Sequence, residues 1–286
     1  MTYVKSLAAA ALAGAMLAGL ATAASAQGIA GPGLLGAKFI AVDGYKYGGG
    51  LPVGVDKNLD AFRVLIKAAD AMGQLRDNQY GGSQYLVIGD TTNAMRMVAN
   101  GTINGAKSHV VIDWDLRVPG VRIDVQSPDG KNHTSVQVGD AKLAWDESSP
   151  GIYKGPATTS ANERLVIAYL MPSGVVLAGR DAADKIKLGK DGARDTLTFP
   201  VPTLGADMVA TLDAEGHPVH TQIVMGGKTY TGDFDNFLND RADTEVKFPH
   251  QVSIKVDGKP MFDLTLDWHQ ANPYLIFPVP KEVATK

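Results

Sequence analysis

The residues best suited to acid–base or metal chemistry in this sequence are three aspartates on two neighbouring predicted strands. Asp113 and Asp115 alternate with apolar residues and therefore lie on one face of a strand, and Asp124 lies on the next strand along the chain. Paired carboxylates can serve as general acid and base or bind a divalent cation. Because Arg117 and Arg122 are close enough in sequence to neutralise these carboxylates, the pattern favours structural ion pairs over an active site.

The spacing of the histidines does not indicate a hydrolytic zinc site. The chain has six histidines but neither the His-x-His-x-Asp-His nor the His-Glu-x-x-His pattern that brings imidazoles together around zinc. His217 and His220 form the closest pair, and because they flank Pro218 beside a predicted turn, we expect them to be solvated rather than to chelate a metal. No Gly-x-Ser-x-Gly motif and no cysteine supplies a nucleophile. The sequence therefore predicts no catalytic residues, no metal site and no cofactor.

The first 26 residues have the pattern of a secretory signal peptide. Lys5 precedes an apolar run at residues 7–20, and Ala24-Ser25-Ala26 is a small-residue cleavage site. A membrane anchor is the alternative, but the run is shorter than the roughly 18–20 residues that a spanning helix needs. We expect cleavage near Gln27, no lipid attachment there because no cysteine follows, and a periplasmic location without an integral membrane span.

Composition narrows the classes of partner. Removing 26 residues leaves 260 of the 286, enough for one large domain or two small ones. The chain has 27 basic and 30 acidic residues, and loss of Lys5 changes the formal net charge from −3 to −4. Such a surface has no general attraction for nucleic acid. Without cysteines, burial and hydrogen bonds must stabilise the fold.

The pattern of apolar residues predicts an α+β fold. Residues 27–55 are rich in glycine and are predicted to be a flexible arm, and residues 56–76 have the spacing of a helix beginning at Asp56 and ending near Gly73. From Gly82 to Trp268 the period is two, which is typical of antiparallel strands. The exception is residues 157–171, a helix with a capping box. We expect one domain, residues 56–286, with about ten strands in an open, curved sheet and two helices on one face.

The inner face of this sheet is the candidate binding surface. If the two helices fill it completely, its apolar residues are ordinary core residues; if they do not, an apolar cleft remains that suits an apolar ligand. The predicted cleft residues are Ile112, Trp114, Leu116, Ile123, Trp145, Phe262, Leu264 and Trp268.

A series of short motifs between Ala61 and Val283 carries a family resemblance. They are Ala144-Trp145-Asp146, Glu163-Arg164-Leu165, Met171-Pro172-Ser173-Gly174, Asp213-Ala214-Glu215-Gly216, Val246-Lys247-Phe248-Pro249, Leu264-Thr265-Leu266, Asn272 and Pro278-Val279-Pro280. Their order resembles an exported bacterial β domain that often precedes a metallo-β-lactamase-like hydrolase in one polypeptide and also occurs alone. That domain is similar to the periplasmic lipoprotein-carrier fold.

The resemblance implies a strongly curved half-barrel whose helices plug the concave side, with a hydrophobic cavity between them and the sheet. It also implies an arginine in the interior, for which Arg96 and Arg122 are the candidates. The histidine cluster of the hydrolase is not in this sequence, so the resemblance implies no hydrolytic activity.

Three functions remain open from the sequence. The first is a periplasmic, non-enzymatic carrier of a lipid, a lipoprotein acyl chain or another apolar ligand held between sheet and helices. The second is an interaction module that docks on a separate envelope hydrolase or another protein. The third is an enzyme that uses Asp113, Asp115 and a histidine.

Overall fold

The computed structural model of the chain describes residues 40–42, 45–47, 58–80, 83–88, 94–138, 143–239 and 245–284. The chain divides into two units, one made of residues 1–51 and 77–87 and the other of residues 52–76 and 88–286. Two short strands lie in the segment predicted to be a flexible arm, β1 (Ile40–Val42) and β2 (Tyr45–Tyr47), and they pair antiparallel. β3 (Leu75–Tyr80) and β4 (Ser83–Ile88) form another two-stranded sheet. The predicted signal peptide lies outside the described residues.

One antiparallel sheet of 13 strands dominates the second unit and does not close into a barrel. Its first meander consists of β5 (Ala94–Ile103), β6 (Ala106–Asp115), β7 (Gly120–Gln126), β8 (Asn132–Val138), β9 (Leu143–Ser149) and β10 (Ile152–Pro156). Its second meander consists of β11 (Lys187–Asp191), β12 (Arg194–Val201), β13 (Ala206–Leu212), β14 (Pro218–Met225), β15 (Lys228–Leu238), β16 (Phe248–Val256) and β17 (Lys259–Ala271). The first strand of one meander, β5, pairs with the last strand of the other, β17.

This architecture confirms the predicted fold class, an α+β half-barrel with helices on its concave face. The dipeptide Asp257-Gly258, a sequence typical of tight hairpins, has φ values of 50° and 75° between β16 and β17. β8 ends at Val138 and β9 begins at Leu143. The edge strands β10 and β11 escaped prediction because apolar and polar residue types do not alternate along their sequences, IYKGP and KLGKD.

Four helices lie among the described residues: α1 (Leu59–Ala71), α2 (Ala161–Leu170), α3 (Pro172–Asp181) and α4 (Lys281–Ala284). α1 begins after Asn58, and Gly73 follows it with a φ of 64°. α2 has the predicted capping box between Ser160 and Glu163. The sequence missed α3, because Met171 is extended and ends α2 while Pro172, at the first position of α3, starts a new helix without an intervening loop.

The helices α1, α2 and α3 pack on one face of the large sheet, which we call the inner face; the opposite face is the outer face. α2 contacts both sides of the half-barrel, β7 and β8 in the first meander and β14 and β15 in the second. α3 packs between α1 and strands β12 and β14. Residues 164–179 are all buried, because the curved sheet surrounds this pair of helices. No helix among the described residues is long and apolar enough to cross a membrane.

The outer face of the first meander is partly covered by the C-terminal segment. Val136 and Trp145 are fully buried there together with Val283, and Phe277 and Val279 pack against them. The guanidinium carbon of Arg122 lies 5.6 Å from the centre of the Phe277 ring. This small outer cluster is separate from the main core on the inner face.

Candidate functional site

A broad apolar surface covers the inner face of the four central strands, β6, β5, β17 and β16, which we call the central block. The inward-facing residues alternate along each strand and line up across it: Met97 is opposite Ile112, and Leu264 is opposite both Gly101 and Val252. They are at most 5% exposed, and include Met95, Met97, Ala99, Val110, Ile112, Trp114, Val252, Ile254, Phe262, Leu264 and Leu266.

The helices approach the two flanks of the half-barrel more closely than this central block. α2 packs on β7, β8, β14 and β15, and α1 and α3 pack on β11, β12 and β14; none of the described helices makes comparable contact with the four central strands. Large or flexible side chains bridge the wider gap. The Trp114 ring lies 5.9 Å from that of Phe248, which in turn stacks at 5.4 Å on His269. Met72, Met95 and Met97 add unbranched side chains that repack easily.

Four of the predicted cleft residues belong to this block. Ile112 and Trp114 lie on β6, and Phe262 and Leu264 lie on β17, all buried on the inner face. Ile123 lies opposite Ile112 on the adjacent strand β7 and is 6% exposed. Leu116 follows the end of β6 and is half-buried.

The predicted inward position of Trp268 is wrong. A β-bulge between Leu266 and Trp268 shifts the alternation by one residue, so that Trp268 lies opposite Val98 on the outer face with 39% of its surface exposed. His269 takes the inward position that Trp268 would otherwise have, and it is fully buried.

Trp145 was also predicted to face inward, and this is wrong for a different reason. The chain turns between β8 and β9, and Trp145 lies opposite Val136, which lies opposite Arg122. Directly opposite residues share a face. Trp145 therefore belongs to the outer cluster, where its indole N–H donates to Glu147 Oε1 at 2.8 Å.

Neither arginine suggested as an interior polar contact lies in the interior. Arg96 lies on the outer face and donates two hydrogen bonds to the Asp113 carboxylate, at 2.7 and 2.8 Å. These bonds, against a smaller opposing effect of burial, raise the pKa of Arg96 above its ordinary value. Arg122, also on the outer face, pairs with Glu147. Arg117 pairs with Asp115, so Asp113 and Asp115 are held in ion pairs, whereas Asp124 accepts a hydrogen bond from the Thr134 hydroxyl at 2.6 Å.

The interior arginine is Arg164, on α2, which the sequence analysis missed as a site residue. Its Nη1 donates to the backbone carbonyls of Val136 and Trp145 at 3.1 and 2.6 Å, and its Nη2 donates to Asp146 Oδ1 at 2.6 Å. Its Nε donates to the Thr159 hydroxyl at 2.8 Å. The feature of the sequence that could have identified Arg164 is its position as a charged residue directly before an apolar helical run, Leu165-Val166-Ile167. Because every donor group is engaged, Arg164 anchors the helix to β8 and β9.

A cavity of about 570 Å³ lies at the start of α2. The Glu163 carboxylate accepts hydrogen bonds from the Lys228 ammonium group, from the Ser160 backbone N–H and, at 3.3 Å, from the Tyr230 hydroxyl. The bond from Lys228 is the main cause that lowers the pKa of Glu163 and raises the pKa of Lys228. Burial is the main cause that raises the pKa of Tyr230. This group fastens the start of α2 to the hairpin between β14 and β15.

An open polar groove of about 700 Å³ lies on the outer face of the second meander. His220 Nδ1 lies 2.6 Å from Asp233 Oδ1, and Lys255 Nζ donates to Asp233 Oδ2 at 2.8 Å. Burial opposes ionisation of Asp233, but hydrogen bonds from Lys255 and His220 outweigh it and lower its pKa. The groove also holds Asp235 and Asp263. A carboxylate that is hydrogen-bonded by both an ammonium group and an imidazole is structurally satisfied, which favours a stabilising role for His220, Asp233 and Lys255.

One turn carries side chains that could hold a cation. Ligand atoms of Asp213, Glu215 and His217 all lie within 4.8 Å of one another. However, Asp213 Oδ1 already accepts the backbone N–H groups of Gly216 and His217, both at 2.8 Å. The expectation that both histidines are solvated is wrong for His217, whose side chain is only 14% exposed beside Asp213. The His220 side chain is 35% exposed and lines the open groove beside Asp233.

Known protein-family models do not match this chain, and a search of the curated proteins finds no match either. Function must therefore be argued from the geometry of the described residues and from the N-terminal sequence.

Proposed function

We propose that this protein is an exported, periplasmic carrier that binds a lipid, an acyl chain or another apolar ligand against the inner face of the central block. The observation that carries the proposal is the wide apolar surface of β6, β5, β17 and β16, on which the described helices pack less closely than on the flanks. The signal-peptide pattern at residues 1–26 and the resemblance to the lipoprotein-carrier fold support the same function.

The ligand would replace side-chain contacts that the central block now makes with the helices. Each methylene transferred from water to such a surface contributes about 0.8 kcal/mol, so a chain of ten carbons offsets substantial ordering costs. The flexible methionines Met72, Met95 and Met97 can repack around a chain at small cost. α2 remains anchored through Arg164, so the adjustment falls on α1 and α3, which meet where Gly179 packs against the Leu65 side chain.

Native mass spectrometry of protein purified from the periplasm without detergent tests the proposal. We expect a mass excess of several hundred daltons that extracts as a defined apolar molecule. Ala99→Leu, which adds three carbons to the inner face of β5, should reduce ligand retention at least tenfold, because it fills the same space. Leu264→Phe serves as a second filling variant, and circular dichroism checks that both fold.

The matched control is Trp268→Ala, because it removes apolar surface from the outer face of the same strand that carries Leu264. It should retain ligand like the unmodified protein. A ligand-free mass that stays unchanged after incubation with envelope lipids would refute the carrier proposal, as would equal loss of ligand in Trp268→Ala and Ala99→Leu.

A partner-docking module is the second candidate, favoured by exposed apolar side chains on the outer side. Trp268 is 39% exposed, and Tyr274 and Ile276 of the C-terminal segment are 92% and 58% exposed. Exposed apolar side chains grouped on one side are a common feature of interaction surfaces. In the same purification, one stoichiometric protein partner without lipid would favour this function over the carrier.

A further inference from the structure

Four buried residues of the interior carry polar atoms without a hydrogen-bond partner. One of them, Gln137, with its side-chain oxygen, lies on β8, two strands away from Trp114. The other three are Gln74, with both its side-chain oxygen and nitrogen, Trp114, with its indole nitrogen, and Ser173, with its hydroxyl. All three residues are 0% exposed. An unsatisfied buried polar group costs about 1–3 kcal/mol, and native proteins contain few of them. We therefore expect these buried polar atoms to have a hydrogen-bond partner in another state of the protein.

Gln74 and Trp114 lie in the same region of the interior. The backbone beside Gln74 packs directly on residues 245–247: Lys247 N–H donates to the Met72 carbonyl at 3.0 Å, and a Cβ on Gly73 would lie 1.8 Å from the Glu245 carbonyl oxygen. The following residue, Phe248, has its ring against Trp114. Residues 245–248 thus connect the end of α1 with the indole of Trp114.

Ser173 lies at the same end because α1 and α3 are antiparallel. Near one end of the pair, the Asn58 side chain donates to the Asp184 carbonyl at 2.6 Å. The middle of α1 meets the last turn of α3, where a Cβ on Gly179 would lie 2.8 Å from a methyl group of Leu65. From that contact, both the end of α1 and Ser173 on α3 are six residues away, or about 9 Å at 1.5 Å per residue. Gln74 lies three residues after Ala71, the end of α1, so Gln74 and Ser173 occupy one end of the helix pair.

We propose that the ligand carries a neutral hydrogen-bonding group, such as an ester or amide carbonyl, and that this group binds Gln74, Trp114 and Ser173 while its hydrocarbon chain lies on the central block. The inference rests on the proposed carrier function. The Trp114 and Gln74 N–H groups donate to the carbonyl oxygen, and Gln74 Oε1 and the Ser173 hydroxyl accept from an adjacent hydroxyl or amide N–H.

Charge selects a neutral group over an ionised one. Among the described residues, the buried charged side chains are Asp113, Asp146, Glu147 and Arg164; the buried imidazole of His269 is hydrogen-bonded to the Val246 carbonyl at 3.3 Å. Asp113 and Glu147 pair with arginines on the outer face, and Arg164 pairs with Asp146. No buried side chain near Gln74 therefore remains to neutralise an ionised headgroup. Such a headgroup would lose its hydration without compensation.

The test compares three probes of equal chain length: monolaurin, a neutral ester; ionised laurate; and dodecane. Their affinities for the delipidated full chain are measured by displacement of a bound fluorescent hydrocarbon. The variant is Gln74→Leu, which keeps the side-chain size and removes both polar atoms; the matched control is Gln222→Leu on the outer face of β14. We expect Gln74→Leu to weaken monolaurin binding about tenfold and to change dodecane binding less than twofold.

The ligand-free Gln74→Leu protein should be at least as stable as the unmodified protein, because the substitution removes unsatisfied polar atoms. The unmodified protein should bind laurate at least tenfold more weakly than monolaurin. Equal effects of Gln74→Leu on monolaurin and dodecane, or laurate binding as tight as monolaurin, would overturn this inference while the carrier function stands. If the unmodified protein binds none of the three probes, the carrier function itself is refuted.

Discussion

Arg164 shows how much one buried side chain can contribute to the position of an element. Its guanidinium group bridges two carbonyls of the sheet, the Asp146 carboxylate and the Thr159 hydroxyl, and Thr158 donates to the second oxygen of Asp146 at 2.7 Å. The side chains of Arg164 and Asp146 are 3% and 5% exposed. Because both charges are fully hydrogen-bonded, the desolvation cost is compensated only while both partners are present.

Removal of Arg164 should therefore destabilise the protein strongly. We expect Arg164→Met to lower the free energy of unfolding by about 3–5 kcal/mol, because it leaves the buried Asp146 carboxylate without its counterion. Arg117→Met, which breaks the more exposed pair with Asp115, should cost less than about 1 kcal/mol. Urea denaturation followed by circular dichroism measures both. Similar small losses in the two variants would show that Arg164 does not anchor α2.

At the scale of elements, α2 and α3 are attached to the rest of the fold by different kinds of contact. α2 has a polar attachment at its start, through the capping box and Lys228, and a second one through Arg164. Its end is tied to β14 by the Thr221 hydroxyl, which donates to the Leu170 carbonyl at 2.9 Å. α3 packs on α1, on α2 and on strands β12 and β14. Because α2 has these polar attachments, we expect α3 to move more readily than α2.

The Glu163 attachment makes the stability of α2 dependent on pH. The pKa of Glu163 in the folded protein lies below its ordinary value of 4.5, so its contribution is present above about pH 4.5 and is lost as the pH falls through the folded pKa. Glu163→Gln keeps the shape of the capping box but not the charge. It should have a lower melting temperature than the unmodified protein at pH 7, and this difference should become smaller at pH 3, as the pH falls toward and through the folded pKa.

Glu282→Gln, at an exposed position of α4, is the control and should not change the melting temperature at either pH. Differential scanning calorimetry of the three proteins at pH 7 and pH 3 gives the comparison. A deficit of Glu163→Gln that persists unchanged at pH 3 would mean that the carboxylate charge does not fasten α2.

At the scale of the whole molecule, the pairing of β5 with β17 joins two meanders that are far apart in sequence. Gly101 lies at this junction opposite Leu264, and a Cβ there would lie 2.0 Å from the Asp263 carbonyl oxygen. The obstacle is backbone, which cannot move aside without breaking the ladder. The long separation in sequence also means that this pairing costs much chain entropy to form.

Gly101→Ala should therefore destabilise the entire sheet cooperatively. We expect a loss of about 3 kcal/mol or more, with one unfolding transition for both meanders. Gly155→Ala is the matched control on the edge strand β10, where a Cβ meets no atom within 4 Å. Chemical denaturation monitored by fluorescence and by circular dichroism measures the loss. If Gly101→Ala is as stable as Gly155→Ala, the described β5–β17 register is incorrect.

The sequence by itself determined what depends on neighbours along the chain. The period of two predicted the antiparallel sheet, Ser160 and Glu163 predicted the start of α2, and Asp257-Gly258 predicted a hairpin, because strand alternation, helix caps and tight turns are local. Alternation also sufficed for Ile112 and Trp114, which lie within one uninterrupted strand. The charge partners of Asp113 and Asp115 were only partly predictable, since Asp115 pairs with nearby Arg117 but Asp113 pairs with Arg96 on another strand.

Only the tertiary structure decided which face several residues occupy and which strands meet. One bulge turned Trp268 outward, and the antiparallel return of β9 placed Trp145 beneath the C-terminal segment. The interior arginine proved to be Arg164, because its partners come from strands some 20 to 30 residues away. Registers, bulges and buried ion pairs depend on contacts between distant segments, and a local pattern of apolar residues is the same whichever distant segment it meets.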